Sequence, residues 1–202
     1  MSRAPYISSE DSGLLRGALE GRSGRMFLEL GAGNGGTLVR LCRAYDVAVG
    51  TDVVRPEMRD WSQGADFVLA DRASCFRDLV FDLVAFNPPY LPGEGGGDQA
   101  VDGGPRLERP LLFLEDALRV VKPEGSVVFL LNQEADVAEF EQACVRHGFR
   151  LRPLISRKLF FEVLSVYEAF PEGPRRTSGD SRDGHLETST ASRLHQVPAS
   201  PS

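Results

Sequence analysis

Short apolar runs alternate with longer amphipathic segments between residues 26 and 170. Runs that are short, apolar and partly β-branched are typical of buried strands, whereas apolar positions three or four residues apart indicate helices. Strands are predicted over 26–30, 47–52, 66–70, 81–86 and 126–131. Helices are predicted over 37–45, 110–121 and 135–148. Lys122-Pro123 and Gly125 are expected to end the second helix, and Gly148 to end the third.

Two further runs, "FRLRPLIS" (149–156) and "LSVYEAF" (164–170), lie close together in the chain. Parallel neighbours need a long crossover, so these two are expected to pair antiparallel. The alternating pattern before them predicts an α/β fold with a doubly wound, mostly parallel sheet. The antiparallel hairpin closes this sheet at one edge. In such sheets ligands bind beyond the carboxyl ends of the strands.

The 202 residues suffice for one substantial core, and the composition changes at the end of the chain. Residues 171–202 contain no aromatic residue and few aliphatic ones, so they are predicted to form a disordered tail after a single domain over 1–170. Four of the 23 basic and four of the 29 acidic residues lie in that tail, so the net charge of −6 belongs to the domain. This charge disfavours a broad surface for duplex nucleic acid.

The chain has no apolar run near the roughly 20 residues that span a bilayer, and its first residues are not apolar. A cytoplasmic protein without membrane contact is therefore expected. The three cysteines, Cys42, Cys75 and Cys144, are far apart and form no C-x-x-C pair. They are expected to be buried, reduced thiols, and no metal site is predicted.

The stretch "LELGAGNGG" (28–36) leads from the first predicted strand into the first predicted helix. Gly31, Gly33 and Gly36 fit G-x-G-x-x-G, the fingerprint of a nucleoside-cofactor turn. Asp52 ends the second strand, 19 residues after Gly33, where a carboxylate can accept both ribose hydroxyls. The cofactor half of the site is therefore predicted at this turn.

Two nucleoside cofactors, NAD and S-adenosylmethionine, remain open at this point. NAD carries a pyrophosphate, which favours a bare helix N-terminus, whereas S-adenosylmethionine is cationic. Glu29, a carboxylate two residues before Gly31, favours the cationic cofactor, although such a residue could also face solvent. Asp71, just past the third strand, can accept a hydrogen bond from an adenine amino group or serve only as a turn residue.

The fourth strand ends in "FNPPY" (86–90). A planar amide or aminopurine nitrogen is a poor nucleophile because its lone pair is delocalised. The Asn87 side-chain oxygen and the Pro88 carbonyl can each accept one N–H of such a group, and the prolines stiffen this arrangement. Tyr90 can stack on its flat face. These residues point to methyl transfer onto a conjugated nitrogen, and no hydride-transfer acid or base is evident nearby for an NAD enzyme.

Together, "LELGAGNG", "TDV", "ADR" and "FNPPY" resemble the amino-methyltransferases of the seven-stranded, S-adenosylmethionine-dependent class. "YISSEDSGLL" (6–15) and "RKLFFEVLSVYEAF" (157–170) are similar to elements of the short archaeal and eukaryotic branch of the HemK family of release-factor glutamine methyltransferases. The resemblance implies a Rossmann-like class I fold with catalytic residues Asn87, Pro88 and Tyr90. It implies cofactor contacts from Ser12, Glu29, Gly31, Gly33, Asp52, Asp71, Arg72 and Asn87.

The family's substrate is the glutamine of the Gly-Gly-Gln motif in class I release factors, and its partner is a small zinc-binding activator. N-P-P-Y is shared with adenine N6-methyltransferases, so RNA or DNA adenine is the alternative acceptor. A non-catalytic cofactor-binding subunit is disfavoured by the intact motif. The segment "DGGPRLERP" (102–110) has Leu107 where the family has a glycine. With 92–99, this segment is expected to frame the substrate entrance.

Overall fold

The computed structural model describes residues 9–56, 64–89, 108–159 and 162–173. Its helices are α1 (Ser9–Leu19), α2 (Gly36–Leu41), α3 (Glu108–Val120) and α4 (Val137–Arg146), and a 3₁₀ turn covers Cys42–Ala44. Its strands are β1 (Gly24–Leu30), β2 (Tyr45–Asp52), β3 (Asp66–Leu69), β4 (Phe81–Phe86), β5 (Val121–Asn132), β6 (Phe149–Leu159) and β7 (Glu162–Pro171).

The strands form one seven-stranded sheet in the order β3-β2-β1-β4-β5-β7-β6. The first five strands in this order are parallel, and β7 lies antiparallel between β5 and β6. The predicted doubly wound sheet with an antiparallel edge hairpin is therefore confirmed. Because β1 and β4 are neighbours at its centre, their carboxyl ends meet, with Leu30 opposite Phe86.

Helices cover both faces of the sheet. Alternation along β1 places Phe27 on one face and Leu28 on the other. Phe27 packs with Leu14 of α1 and Leu38 of α2, whereas Leu28 packs with Leu114 of α3 and with residues of α4. Each face thus buries its own apolar cluster, and the sheet is held between two helical layers.

Three details of the predicted elements are wrong or incomplete. Tyr45, predicted as helical, begins β2, because the preceding 3₁₀ turn ends at Ala44 and Tyr45 pairs with Gly24. The segment 121–125, predicted to break a helix, is the first part of β5. A Cβ at Gly125 would lie 2.7 Å from the Asp82 carbonyl oxygen, so this glycine permits close strand contact. Helix α1 was not predicted at all.

The end of the domain lies slightly beyond the predicted boundary at residue 170. Strand β7 runs to Pro171, and the Glu172 N–H donates to the Gly148 carbonyl at 3.1 Å. The predicted tail from residue 174 onward lies outside the described residues, as do Tyr90, Leu107 and the segment 92–99.

The cysteine prediction holds for two of the three thiols. Cys42 and Cys144 are buried, but Cys75 is exposed on the segment between β3 and β4. In the described ranges no helix is long and apolar enough to cross a membrane. Those same ranges contain no cluster of three or more His, Cys, Asp or Glu side chains suited to a metal ion.

Candidate active site

The glycine turn between β1 and α2 is bonded directly to the end of β2. The Ala32 N–H donates to the Thr51 carbonyl at 2.8 Å, and the Gly33 N–H donates to Asp52 Oδ2 at 2.9 Å. Gly31 has a φ of +65°, and a Cβ there would lie 3.4 Å from the Phe113 ring. The backbone conformation therefore requires glycine at this position, whereas a Cβ would make only ordinary contact with the ring, and the turn leaves its outer side open to a ligand.

Asp52 lies where the glycine turn, β2 and the end of β3 meet. Its Oδ2 accepts from Gly33, and its Oδ1 accepts from the Val54 N–H at 2.9 Å. Its carbonyl accepts from the Ala70 N–H at 3.0 Å. A carboxylate offers about four acceptor sites, so Asp52 can still accept from two hydroxyls. The backbone bonds fix the orientation of these remaining sites.

Glu29 is buried, with only 6% of the residue exposed. Burial raises its pKa to about 8, although the Thr37 side chain, the Leu38 backbone N–H and the Arg16 charge each lower it in part. Its Oε2 has no hydrogen-bond partner among the described residues. A buried acceptor without a donor is costly, and a cationic donor would both satisfy and ionise it. Glu29 therefore does not simply face solvent.

Asn87 follows β4 directly, and its Oδ1 is likewise buried without a partner in the described part of the chain. Its neighbour Phe86 is in register with Leu30, the residue after Glu29. Two unpartnered acceptors thus lie at the adjoining carboxyl ends of β1 and β4. Pro88 is buried beside Asn87, as a rigid turn requires. Stacking by Tyr90 stays a prediction because this residue is outside the described ranges.

Asp71 and Arg72 follow β3, and the Arg72 side chain reaches Asp116 on α3. The Arg72 Nη1 lies 3.1 Å from Asp71 Oδ1, and the Arg72 Nε donates to Asp116 Oδ2 at 3.0 Å. The guanidinium that was expected to contact the cofactor is therefore shared by two carboxylates. Asp71 itself is exposed and available to a ligand.

The resemblance implied a cofactor contact from Ser12, but the helix that carries it, α1, and the residue Arg16 were not predicted. Ser12 is half-buried in this helix, and Arg16 lies one turn further along it. A guanidinium nitrogen of Arg16 is 3.3 Å from the place a Cβ would occupy at Gly36, and its charge acts on Glu29. Helix α1 therefore borders the glycine turn. The i, i+4 spacing of Ser12 and Arg16 could have indicated this if the helix had been recognised.

No protein-family model matches the chain, and comparison with curated proteins gave no match. Solved structures do match it. The E. cuniculi Mtq2-Trm112 complex, which methylates the translation termination factor eRF1, is 26% identical with a TM-score of 0.68, covering 82% of this chain and 98% of that one.

Two more distant structures share the fold. The T. thermophilus 16S rRNA N2 G1207 methyltransferase RsmC, solved with AdoMet and guanosine, is 20% identical with a TM-score of 0.55, covering 83% of this chain and 41% of that one. The methyltransferase in complex with the Haloferax volcanii Trm112 activator is 15% identical with a TM-score of 0.52, covering 80% and 91%.

The sheet order, the edge hairpin and these neighbours define a class I methyltransferase fold. The chain has the fold of the S-adenosylmethionine-dependent methyltransferases that it resembles. The residues present fit this cofactor. Glu29 offers a buried acceptor for its cationic ammonium group, and Asp52 offers an oriented carboxylate for its ribose hydroxyls, on either side of the glycine turn.

Proposed function

We propose that the protein belongs to the HemK family and methylates the side-chain amide of the glutamine in the Gly-Gly-Gln motif of a class I release factor. The observation that carries this proposal is the buried, unpartnered Oδ1 of Asn87 at the end of β4. No described residue satisfies this acceptor, and an N–H of a bound substrate can do so. The similarity to Mtq2, which acts on eRF1, favours a protein amide over an adenine.

The cofactor contacts follow from the same geometry. Glu29 Oε2 would accept from the α-ammonium, Asp52 from the ribose hydroxyls and Asp71 from the adenine amino group. The bend at Gly31 lets the backbone lie against the ligand. Bound here, S-adenosylmethionine would supply a methyl group on a cationic sulfur. A nitrogen lone pair can attack the methyl carbon, and the sulfur is the leaving group.

Asn87 and Pro88 would prepare that lone pair. Asn87 Oδ1 accepts one N–H of the target amide and the Pro88 carbonyl accepts the other, which draws the nitrogen toward tetrahedral geometry. The fixed backbone of the proline pair keeps both acceptors in place before the substrate arrives. No general base is needed in advance, because the nitrogen loses its proton to water easily once it is alkylated.

The proposed substrate is tested by labelled methyl transfer to two acceptors, a class I release factor and an adenine-containing oligonucleotide, with and without a Trm112-type activator. We expect label in the release factor, and loss of label when its Gly-Gly-Gln glutamine is replaced by asparagine. Label in the oligonucleotide alone would overturn the proposal and favour adenine N6-methylation.

A small zinc-binding activator of the Trm112 type is the proposed partner, since two of the similar structures are Trm112 complexes. The chain offers an apolar surface at the β3 edge of its sheet. Val53, Val54 and Leu69 are 55%, 64% and 62% exposed there. Burying such side chains on a partner stabilises a complex.

This surface can be tested by co-purification of the chain with the activator. Leu69→Glu should abolish the complex, whereas Val145→Glu should not, because Val145 is equally exposed but lies on α4. Equal binding by both variants would exclude the β3 edge as the contact surface.

A further inference from the structure

Helix α3 holds the segment between β3 and β4. Arg119 donates from Nη2 to the Ala73 carbonyl and from Nη1 to the Phe76 carbonyl, both at 2.9 Å. The Leu79 N–H donates to the Arg119 carbonyl at 3.2 Å, and the Val80 N–H donates to the Val120 carbonyl at 2.7 Å. These four hydrogen bonds to α3 fix the position of the segment.

Arg72 lies at the start of this segment in an unusual conformation. Its φ is +49°, in the left-handed region that residues with a side chain rarely adopt. The side chain is only partly exposed, and its guanidinium lies between Asp71 on the same segment and Asp116 on α3. The Arg119 Nε lies 3.7 Å from the other oxygen of Asp116, which orients this carboxylate in turn.

This arrangement distinguishes Arg72 from an ordinary surface arginine. A backbone conformation that is unfavourable for arginine persists only when surrounding contacts hold it. Asp71, by contrast, is 58% exposed at its side chain and would sample several rotamers if it had no neighbour to hold it. The 3.1 Å contact with Arg72 holds the Asp71 carboxylate close to the end of β3.

We propose that Arg72 is a positioning residue for adenine recognition: pinned by Asp116, it fixes the Asp71 carboxylate in the orientation that accepts the adenine amino group. The inference rests on the proposed role of Asp71 in cofactor binding. It replaces direct contact between Arg72 and the cofactor by an indirect role, and it makes Asp116 on α3 part of the support for the site.

The test compares two ligands by calorimetric titration: S-adenosylhomocysteine and its 6-deamino analogue, which carries purine in place of adenine. The wild-type protein should prefer the adenine ligand, and Asp71→Ala, which leaves no acceptor oxygen on this side chain, should remove most of that preference. Arg72→Met keeps the aliphatic stem but loses the charge. We expect it to weaken S-adenosylhomocysteine binding about three- to tenfold, the range of coupling between contacting residues, with little change for the analogue.

Further variants distinguish the effect of the Arg72 charge from the effect of its left-handed backbone conformation. Arg72→Lys should recover part of the preference because it keeps the charge. Arg72→Gly should not, although glycine relieves the left-handed conformation. Asp116→Asn should act in the same direction as Arg72→Met, with a smaller effect. Asp78→Asn is the matched control. It breaks the 2.8 Å pair between Asp78, which lies on the same segment as Arg72, and Arg119 on α3. It should therefore lower the melting temperature without changing the ligand preference.

The outcomes separate this inference from the assignment on which it rests. Full preference for adenine in Asp71→Ala would overturn both. Loss of preference in Asp71→Ala with full preference in Arg72→Met would overturn only the positioning role. Equal weakening of both ligands by Arg72→Met would also overturn it, because a purely structural residue does not discriminate between purines at position 6.

Discussion

The two ends of β4 carry polar residues in opposite situations. At the amino end, Asp82 Oδ2 accepts from the backbone N–H groups of Arg25 and Met26 at 2.8 and 2.7 Å, and its Oδ1 accepts from Lys122. Burial would raise the pKa of Asp82, but these bonds hold it below its ordinary value. At the carboxyl end, Asn87 Oδ1 has no partner in the described part of the chain.

Two buried glutamates repeat this contrast. Glu168 on β7 is 4% exposed, and its oxygens accept from Arg22 Nη1 at 2.6 Å and from Arg152 Nε at 2.8 Å. Burial alone would raise the pKa of Glu168, but the two arginines bring it below the ordinary range. Glu29 is buried almost as deeply, yet its pKa is raised. Little of either residue is exposed, but burial dominates the pKa of Glu29, whereas the combined effect of two arginines outweighs burial at Glu168.

The contrast separates polar groups that stabilise the fold through hydrogen bonds within the protein from those that a ligand would have to satisfy. Groups with protein partners should affect stability when they are changed, and groups without partners should affect binding or turnover. Three substitutions, at Asn87, Glu168 and Glu29, test this division, and a fourth tests Asp52, which has backbone partners and further acceptor sites for a ligand.

The largest effect is expected for Asn87→Ala. Loss of one preorganised contact to the reacting group typically lowers the rate about 10²–10³-fold. The loss should appear in kcat rather than in affinity for S-adenosylhomocysteine, because the contact strengthens as the nitrogen becomes tetrahedral. Single-turnover methyl transfer to a release factor measures it. Asn87→Asp, which keeps an acceptor oxygen, should retain partial activity.

Asp82→Asn, at the other end of the same strand, is the control for this prediction. It should lower the melting temperature and leave turnover unchanged. Near-normal turnover in Asn87→Ala would mean that the N-P-P-Y segment is only a structural turn.

Glu168→Gln should have the next largest effect, on stability alone. It removes the charge between two arginines that are partly exposed, so the loss should be about 2 kcal/mol, below the value for a fully buried pair. Because the pKa of Glu168 is depressed in the folded state, its contribution is present above the unfolded pKa of 4.5 and disappears as the pH falls further. The melting temperatures of variant and wild type should therefore differ less at pH 3 than at pH 7. Changed cofactor affinity would contradict the division.

Asp52→Ala should weaken S-adenosylhomocysteine binding about ten- to a hundredfold, as expected for charge-assisted hydrogen bonds worth roughly 1.5–3 kcal/mol. Asp46→Ala, on the same strand at its amino end, is the matched control, since Asp46 forms only an exposed 3.7 Å pair with Arg25. Calorimetry should show wild-type affinity for this control. Wild-type affinity in both variants would exclude Asp52 as the ribose ligand.

Glu29→Gln should have the smallest effect on stability, and in the opposite direction to Glu168→Gln. Because the pKa of Glu29 is raised in the folded state, its ionisation lowers stability progressively as the pH rises from 4.5 toward about 8. The variant without ligand should therefore be more stable than wild type at pH 8, by on the order of 1–2 kcal/mol, and the gain should shrink at pH 5.

The same variant should bind S-adenosylhomocysteine more weakly, because the carboxylate would no longer meet the α-ammonium. Calorimetry of the wild type in two buffers of different ionisation enthalpy should show proton release on binding at pH 7. Absence of proton release would contradict a protonated Glu29 in the free protein.

Periodicity was enough to predict the strands and their parallel or antiparallel direction, since β4 was predicted with its observed bounds and the hairpin was recognised from its short connection. It failed for α1, where Gly13 and Gly17 weaken the helical pattern. Packing of Leu15 and Leu19 against the sheet stabilises that helix, and such tertiary contacts leave little trace in local sequence.

The candidate site shows the same limit. Glu29, Asp52 and Asn87 were found because each ends a strand or stands at fixed spacing from the glycine turn. Arg16 and Asp116 were not found, because they reach the site from α1 and α3, and only the folded chain brings these helices beside it. Exposure of Cys75 was missed for a similar reason, since it depends on which loops the helices cover.

The two outer strands of the sheet have unequal protection against unwanted pairing. Strand β6 is eleven residues long, but Pro153 and a register irregularity interrupt it, and Arg157 and Lys158 are exposed on it. Such features block edge-to-edge association. Strand β3 has only four residues, and Leu69 on it is exposed. Shortness is the main protection of β3. We therefore expect aggregation of the isolated chain at high concentration to begin at this strand. A charged residue in place of Leu69 would be the simplest means of keeping the protein in solution.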